Sequence, residues 1–250
     1  MATHFMKHSL IPLQGTKLDE KVDRFSLTVL LPALNEECAI GKVIDEVTFC
    51  SLNSMGYSTT LLVVDGHSTD NTIDVARSKG ADVLLQEGKG KGAAVRKALK
   101  YDKSEYLVMM DADYTYPADC ILSLLQELRS GADVVIGSRI TGHIHPGAMP
   151  RVNYIGNRLL SCLASALYLK WITDLCSGMW ALGPKARAQL VLNSDRFEIE
   201  AEMFAQASKA NLKISEVPID YRRRIGKEKL GGVIDGVSIA SKLLRKRLVG

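Results

Sequence analysis

A chain of 250 residues, 46% hydrophobic and 24% charged, has the balance of an ordinary soluble globular protein with room for one large or two small domains. That balance excludes disorder, collagen-like repeats and low-complexity scaffolds, and no stretch reaches the ~18–20 apolar residues of a spanning helix. The net charge of +4 is unevenly placed: residues 221–250 hold nine Lys/Arg against Glu228 and Asp235, a local +7 that leaves −3 on the rest.

Residues 1–25 are polar and irregular and predict a flexible arm. Ser26–Leu31 (SLTVLL) is a β-branched and leucine run ending at Pro32, the pattern of a buried strand. Glu36–Cys50 spaces Ile40, Val43, Ile44 and Val47 as one helix. Thr60–Val64 predicts a second strand closed by Asp65-Gly66, and Ser68-Thr69-Asp70 caps a helix carrying Ile73, Val75 and Ala76. A strand at Asp82–Leu85, a helix at Lys91–Leu99, a strand at Tyr106–Met110, a helix at Pro117–Arg129 and a strand at Ala132–Ile136 follow. Beyond residue 140 the pattern changes to a helix over Arg151–Trp171, a loop, a helix near Glu198–Ala210, a strand at Lys213–Val217 and the basic tail. Strands alternating with helices of about 10–15 residues imply an α/β fold whose mostly parallel sheet is covered by helices on both faces. In such sheets ligands bind outside the carboxyl ends of the strands, which selects residues 32–37, 65–70, 87–92, 111–117 and 137–139 as site-forming loops.

Asp111-Ala112-Asp113 ends an apolar run, so its two carboxylates point to one side and can share a divalent cation; hard oxygen donors suit Mg2+ or Mn2+ with phosphate oxygens completing the shell. The plainer alternative is an acidic loop capping the next helix. Asp65, at a strand tip, is placed to accept from a ribose hydroxyl or a base N–H, while Ser68 or Asp70 serves as a cap. Glu87-Gly-Lys-Gly-Lys-Gly resembles a phosphate-cradling loop but follows the third strand and fails the Walker spacing, so a flexible turn stands beside it as the alternative. Residues 222–232 mix cations with Gly226, Gly231 and Gly232, either a solvated charge run or a loop closing over phosphate. His143 and His145 are metal-ligand candidates in a Pro/Gly loop where bystanders are commoner. Five cysteines without a C-x-x-C pair point to neither zinc nor a disulfide framework and fit a reducing cytoplasm.

The segments LPALNEE (31–37), VVDGHSTDNT (63–72), MMDADYTYP (109–117), VIGSR (135–139), DLCSG (174–178) and RIGKEKL (224–230), in this order, resemble a family 2 glycosyltransferase of the GT-A fold, in the branch of dolichyl-phosphate mannose synthases and dolichyl-phosphate glucosyltransferases. The resemblance runs from about Ser26 to Leu230. It implies a catalytic domain over 26–220, followed by a basic loop and helix over 221–250 on the acceptor and membrane side. It implies that Pro32, Asn35, Glu36 and Glu37 line the nucleotide pocket and that Asp65 holds base or ribose. Asp111 meets the nucleotide and, with Asp113, the metal. Ser138, Arg139, Asp174 and Ser177 lie on the sugar and acceptor side, with Asp113, Arg139 and Asp174 catalytic, and Arg224 and Lys229 clamp the acceptor phosphate with Ser177. Departures at Gly66, Thr115 (where the mannose synthases carry Gln) and Glu228 favour a UDP-sugar over GDP-mannose.

The expected reaction moves a hexose or N-acetylhexosamine from a nucleotide-diphosphate sugar to a polyprenyl or dolichyl phosphate, with inversion. A phosphate monoester, with a second pKa of ~6, needs no strong base to attack. The acceptor implies peripheral attachment to the cytoplasmic face of a membrane, through Arg158–Trp171 and through Lys242, Arg245, Lys246 and Arg247 beside Leu243, Leu244 and Leu248. Residues 158–171 serve equally well as core. An integral-membrane protein is a further candidate partner. Two other readings compete: transfer to a sugar hydroxyl, with Asp174, Glu198, Glu200 or Glu202 as base, and nucleic-acid binding through the tail. The second lacks stacking aromatics, at 6% overall, and leaves Asp111 and Asp113 without a task, so no nucleic-acid partner is expected.

Overall fold

The computed structural model describes residues 24–226 and 233–248. Seven strands form one sheet in the order β3-β2-β1-β4-β6-β5-β7. β1 (Phe25–Ala33), β2 (Tyr57–Asp65), β3 (Asp82–Leu85) and β4 (Tyr106–Met109) pair in parallel, as do β5 (Val134–Ile144) and β7 (Ile214–Tyr221). β6 (Trp180–Leu182) runs antiparallel between β4 and β5 and joins the two groups.

Neighbouring strand residues point to opposite faces, which splits the core into two layers. Leu27, Val29 and Leu31 of β1 pack with α1 (Ile40–Asp45), α2 (Phe49–Ser54), α3 (Thr72–Ser78) and α5 (Cys120–Arg129). Leu30 of β1, with Leu62 and Val64 of β2, packs with α4 (Lys91–Tyr101), α6 (Arg151–Tyr168), α7 (Pro184–Gln189), α8 (Ile199–Lys209) and α9 (Val233–Leu248). Each fully buried Leu or Val contributes roughly 1.5–3 kcal/mol, and burial on both faces is why these strands read as unbroken apolar runs. β1 has β2 on one side and β4 on the other, so the chain reverses its order there and a crevice opens at their carboxyl ends.

Several elements differ from their sequence pattern. The helix expected over 36–50 is two, α1 and α2, because the β-branched pair Val47-Thr48 leaves helical geometry and Thr48 takes ψ of 73°. β5 continues past Ile136 to Ile144 because β7 pairs along it, with an irregularity between Ser138 and His143. Ser138 and Arg139 thus sit in a strand and not in a loop. Gly142 permits this, since a Cβ there would overlap the backbone of Ile219. α6 stops at Tyr168, where Leu169 turns left-handed (φ 54°), so Trp171 lies outside it. β6 and α7 carry no periodic signal in so few residues.

The basic tail is a packed helix. Leu243 of α9 is fully buried, Lys246 pairs with Glu202 at 2.5 Å, Lys242 donates to Asn193 Oδ1, and Arg247 lies over the Tyr168 ring at 6.0 Å. Of the tail residues expected at a lipid surface, Leu244, Arg245, Arg247 and Leu248 remain exposed. Among the described residues no helix is long and apolar enough to cross a membrane.

Candidate active site

The loops after β1 and β2 lock together at the crevice. Asn35, left-handed at φ 49°, donates its N–H to Ser68 Oγ and accepts from the Thr69 N–H. Glu36 N–H donates to Thr72 Oγ1, and Glu37 accepts from the backbone and side chain of Asn71. Asp65 is enclosed, and its two oxygens accept the Ser68 N–H and hydroxyl. It therefore shapes the loop, while Asn35 and Glu37 stay exposed at the rim and Pro32 is half-buried.

Asp111 and Asp113 follow β4, and each meets a cation from a distant part of the chain. Lys91 Nζ lies 2.6 Å from Asp111 Oδ1 and 2.6 Å from Glu200 Oε1. Burial works against charge on Lys91, but the two carboxylates outweigh it and raise its pKa; Lys91 in turn overcomes burial and lowers that of Asp111. Asp113 is pushed up, by burial first and then by the charge on Asp111, although Arg224 and Thr115 oppose this. Arg224 bridges Glu36 Oε1 and Asp113 Oδ2, both at 3.1 Å. Its segment is held against the Asp111–Thr115 loop by Arg222 N–H to Thr115 O and Ile225 N–H to Asp113 O. Lys229 lies outside the described residues.

The glycine-rich stretch before α4 packs closely against the loop at Ser194 and Asp195. A Cβ on Gly90 or Gly92 would overlap the backbone of Ser194 and Asp195, and Ala93 N–H donates to Asp195 O. These glycines let α4 pack against that loop and carry Lys91 down to Asp111. Lys91 lies within the 87–92 loop that the strand-end rule selects, and its pairing with Asp111 has one sequence signal, a lysine between two glycines at a helix start.

Behind Asp111, a Cβ on Gly178 would overlap the carboxylate, and Gly178 N–H donates to Tyr116 Oη at 2.6 Å. Asp174, with no exposed surface, accepts from the Arg139 N–H, Nε and Nη2 at 2.7–2.8 Å and from Asn157 Nδ2 at 2.7 Å. Arg139 is thereby fixed with its guanidinium 5.1 Å from the Tyr221 ring centroid, near enough to Asp111 to help lower its pKa. Asp174 thus holds Arg139 and presents no free carboxylate. Ser138 and Ser177 are enclosed too: Ser138 Oγ meets Thr173 Oγ1 at 2.7 Å, and Ser177 Oγ donates to Gly137 O at 2.5 Å. Both brace the site from behind. His143 and His145 stack edge-on at 4.9 Å, and among the described residues no group of three His, Cys, Asp or Glu could hold a metal.

The donor set at Asp111 and Asp113 still fits a Mg2+-type ion. Two neighbouring carboxylates at a strand end, close enough that the charge on Asp111 raises the Asp113 carboxyl, are hard ligands, and such an ion would draw its remaining oxygens from water and a bound diphosphate.

Neighbouring acids at a topological switch point, with Lys91, Arg139 and Arg224 about them, define a class: α/β proteins that bind a phosphorylated ligand at the strand ends. The family is more specific. Residues 28–186 match the model of glycosyl transferase family 2, and the chain belongs to that family. It is 36% identical over 200 residues to the glycosyltransferase AglJ of Haloferax volcanii, covering 80% of this chain and 64% of that one, so it spans less than two thirds of that relative. It is 35% identical over 229 residues to a dolichyl-phosphate hexose transferase of the same organism, covering 89% of this chain and 96% of that one. Glucosyl-3-phosphoglycerate synthase of Mycobacterium tuberculosis, solved with Mn2+, UDP-glucose and phosphoglyceric acid, superposes with a TM-score of 0.71 at 24% identity, covering 89% of this chain and 80% of that one. The fold is accordingly of the GT-A type that the motifs imply.

Proposed function

We propose that the protein transfers a hexose or N-acetylhexosamine from a nucleotide-diphosphate sugar, a UDP-sugar before a GDP-sugar, to a polyprenyl or dolichyl phosphate at the cytoplasmic face of a membrane. The observation that carries this is the engagement of three of the four acids that a sugar hydroxyl could call on as base. Asp174 is saturated by Arg139 and Asn157, Glu202 pairs with Lys246, and Glu200 pairs with Lys91. A sugar hydroxyl needs a base to take its proton, whereas a phosphate ionised near neutral pH needs only positioning and partial neutralisation. The dolichyl-phosphate hexose transferase named above supports the acceptor class, and the UDP-glucose complex supports the donor.

In this reading Asn35, Glu36 and Glu37 shape the nucleotide side with Pro32, and Asp65 braces it. Asp111 and Asp113 would hold Mg2+ or Mn2+, which when bound offsets the charge that builds on the departing diphosphate. Lys91 and Arg224 are placed to exchange carboxylate partners for phosphate oxygens. Arg139, aimed by Asp174, faces the anionic acceptor, and Ser138 and Ser177 fix its strand and loop. Lys229 is assigned to the acceptor phosphate by the motif alone. A single displacement by the acceptor oxygen inverts the anomeric carbon, giving a β-linked product from an α-linked donor.

The test is transfer of labelled sugar to a polyprenyl phosphate in detergent with Mn2+ or Mg2+, across a panel of UDP- and GDP-sugars. One donor should support transfer, and Asp113→Ala should abolish it. Glu198, which has no carboxylate-binding partner among the described residues, is the base a hydroxyl acceptor would call on. Glu198→Gln should leave transfer intact. An α-linked product overturns the inverting mechanism, and failure with every donor overturns the acceptor.

A further inference from the structure

The outer face of α6 is apolar where solvent contact calls for polarity. Val152, Ile155, Leu159, Cys162 and Ala166 are exposed at spacings of three and four, one stripe that continues to Leu169 just past the helix end. Six of the fifteen exposed large hydrophobic side chains described fall within residues 152–171, with Leu159 at 67%, Leu169 at 86% and Trp171 at 77% exposure. The opposite face of the helix is the packed one, through Asn157, Ser161, Ala164 and Tyr168.

The charge around this stripe identifies what covers it. Residues 134–173 contain no Asp or Glu, and Arg151 and Arg158 flank the stripe exposed, with no ion-pair partner among the described residues. A second copy of the chain would set like charges against each other across such a pairing. An anionic lipid surface satisfies both features, since its acyl region receives the apolar stripe and its headgroups meet the arginines, with Trp171 of a type enriched at that boundary.

We infer that the outer face of α6, together with Leu169 and Trp171, is the surface by which the protein lies on an anionic membrane. The tail helix α9 turns Leu243 and Lys246 inward and leaves Leu244, Arg245, Arg247 and Leu248 exposed at its end, a smaller patch without a stripe of this length. The inference deepens the lipid-phosphate reading and takes from it only the presence of a membrane. The inner face of α6 holds the site: Asn157 binds Asp174 and the Cys176 N–H, and Ser161 Oγ accepts the Leu175 N–H. A membrane touching the stripe therefore lies within about one helix diameter, ~10 Å, of the Arg139–Asp174 pair.

The experiment is flotation of the protein with vesicles, without donor or acceptor, so that this inference and the proposed reaction fail separately. Vesicles of phosphatidylcholine with phosphatidylglycerol should carry the protein, and phosphatidylcholine alone or high salt should release it. Ile155→Glu/Leu159→Glu should lower vesicle affinity by about tenfold or more while the circular dichroism spectrum and melting temperature stay native, which reports an intact fold. Absence of flotation for the native chain overturns the inference. So does a dimer in sedimentation that the double substitution splits, since the face would then belong to a second copy.

Discussion

Gly178 and Asp111 share a space that admits no methyl group. A Cβ at 178 would overlap the Asp111 carboxylate and force it from the position in which it meets Lys91. Displacement of a reacting group by about 1 Å costs on the order of 100-fold in rate, so Gly178→Ala should lose transfer to about that extent while circular dichroism stays native. Asp113 tells the complementary story. Its carboxyl is pushed up by burial and by Asp111, so the ionised form is a burden on the fold. For a raised acid, stability is present below the ordinary value and is lost as pH rises through the native value. Asp113→Asn should therefore raise the melting temperature by about 2 °C or more near neutral pH, a gap that closes toward pH 4, and should abolish transfer. A variant that melts lower at neutral pH would show that Arg224 and Thr115 hold the charged form better than burial opposes it.

At the level of elements, helices α8 and α9 are tied by one charge pair. Glu202 is enclosed, and Lys246 reaches it alongside the N–H groups of Asn193 and Ser194. Burial raises the Glu202 carboxyl, and the bonds from Lys246 and Ser194 more than reverse this. Removing one partner of a buried pair costs about 3–5 kcal/mol because the other charge is stranded, whereas replacing both is often near neutral. Lys246→Met should lower thermal stability sharply, and adding Glu202→Gln should recover most of the loss. The strands β1 to β4 were legible because burial on both faces leaves continuous apolar runs ending at Pro32, Asp65 and Asp111. β6 was not, since three residues carry no period and its place depends on β4 and β5. The split of α1 from α2 leaves no mark in the sequence because the apolar spacing through Val47 continues across a break set by backbone geometry.

For the molecule as a whole, the acids of the site could be read from the sequence and their partners could not. Asp111 and Asp113 announce themselves by ending an apolar strand, but Lys91 and Glu200 stand more than a hundred residues apart and meet only through the packing of α4 and α8. Asp65, Ser138, Asp174 and Ser177 belong to the site's motifs, and the fold uses them as braces. What sequence cannot carry is which side of a bond faces outward.

The antiparallel strand β6 imposes an order of assembly. β1 through β4 find their parallel partners among themselves, within the first 109 residues. β5 has no such partner behind it, for its two neighbours, β6 and β7, both come later in the chain. A ribosome thus delivers a half-sheet able to close at once, then a strand, Val134–Ile144, that must wait through some 35 residues for Trp180 to emerge. Arg139 rides on that waiting strand, and the backing of Asp111 by Gly178 arrives just before β6. The carboxylates of the site are synthesised early and acquire their working geometry late, when three residues stitch the two halves together.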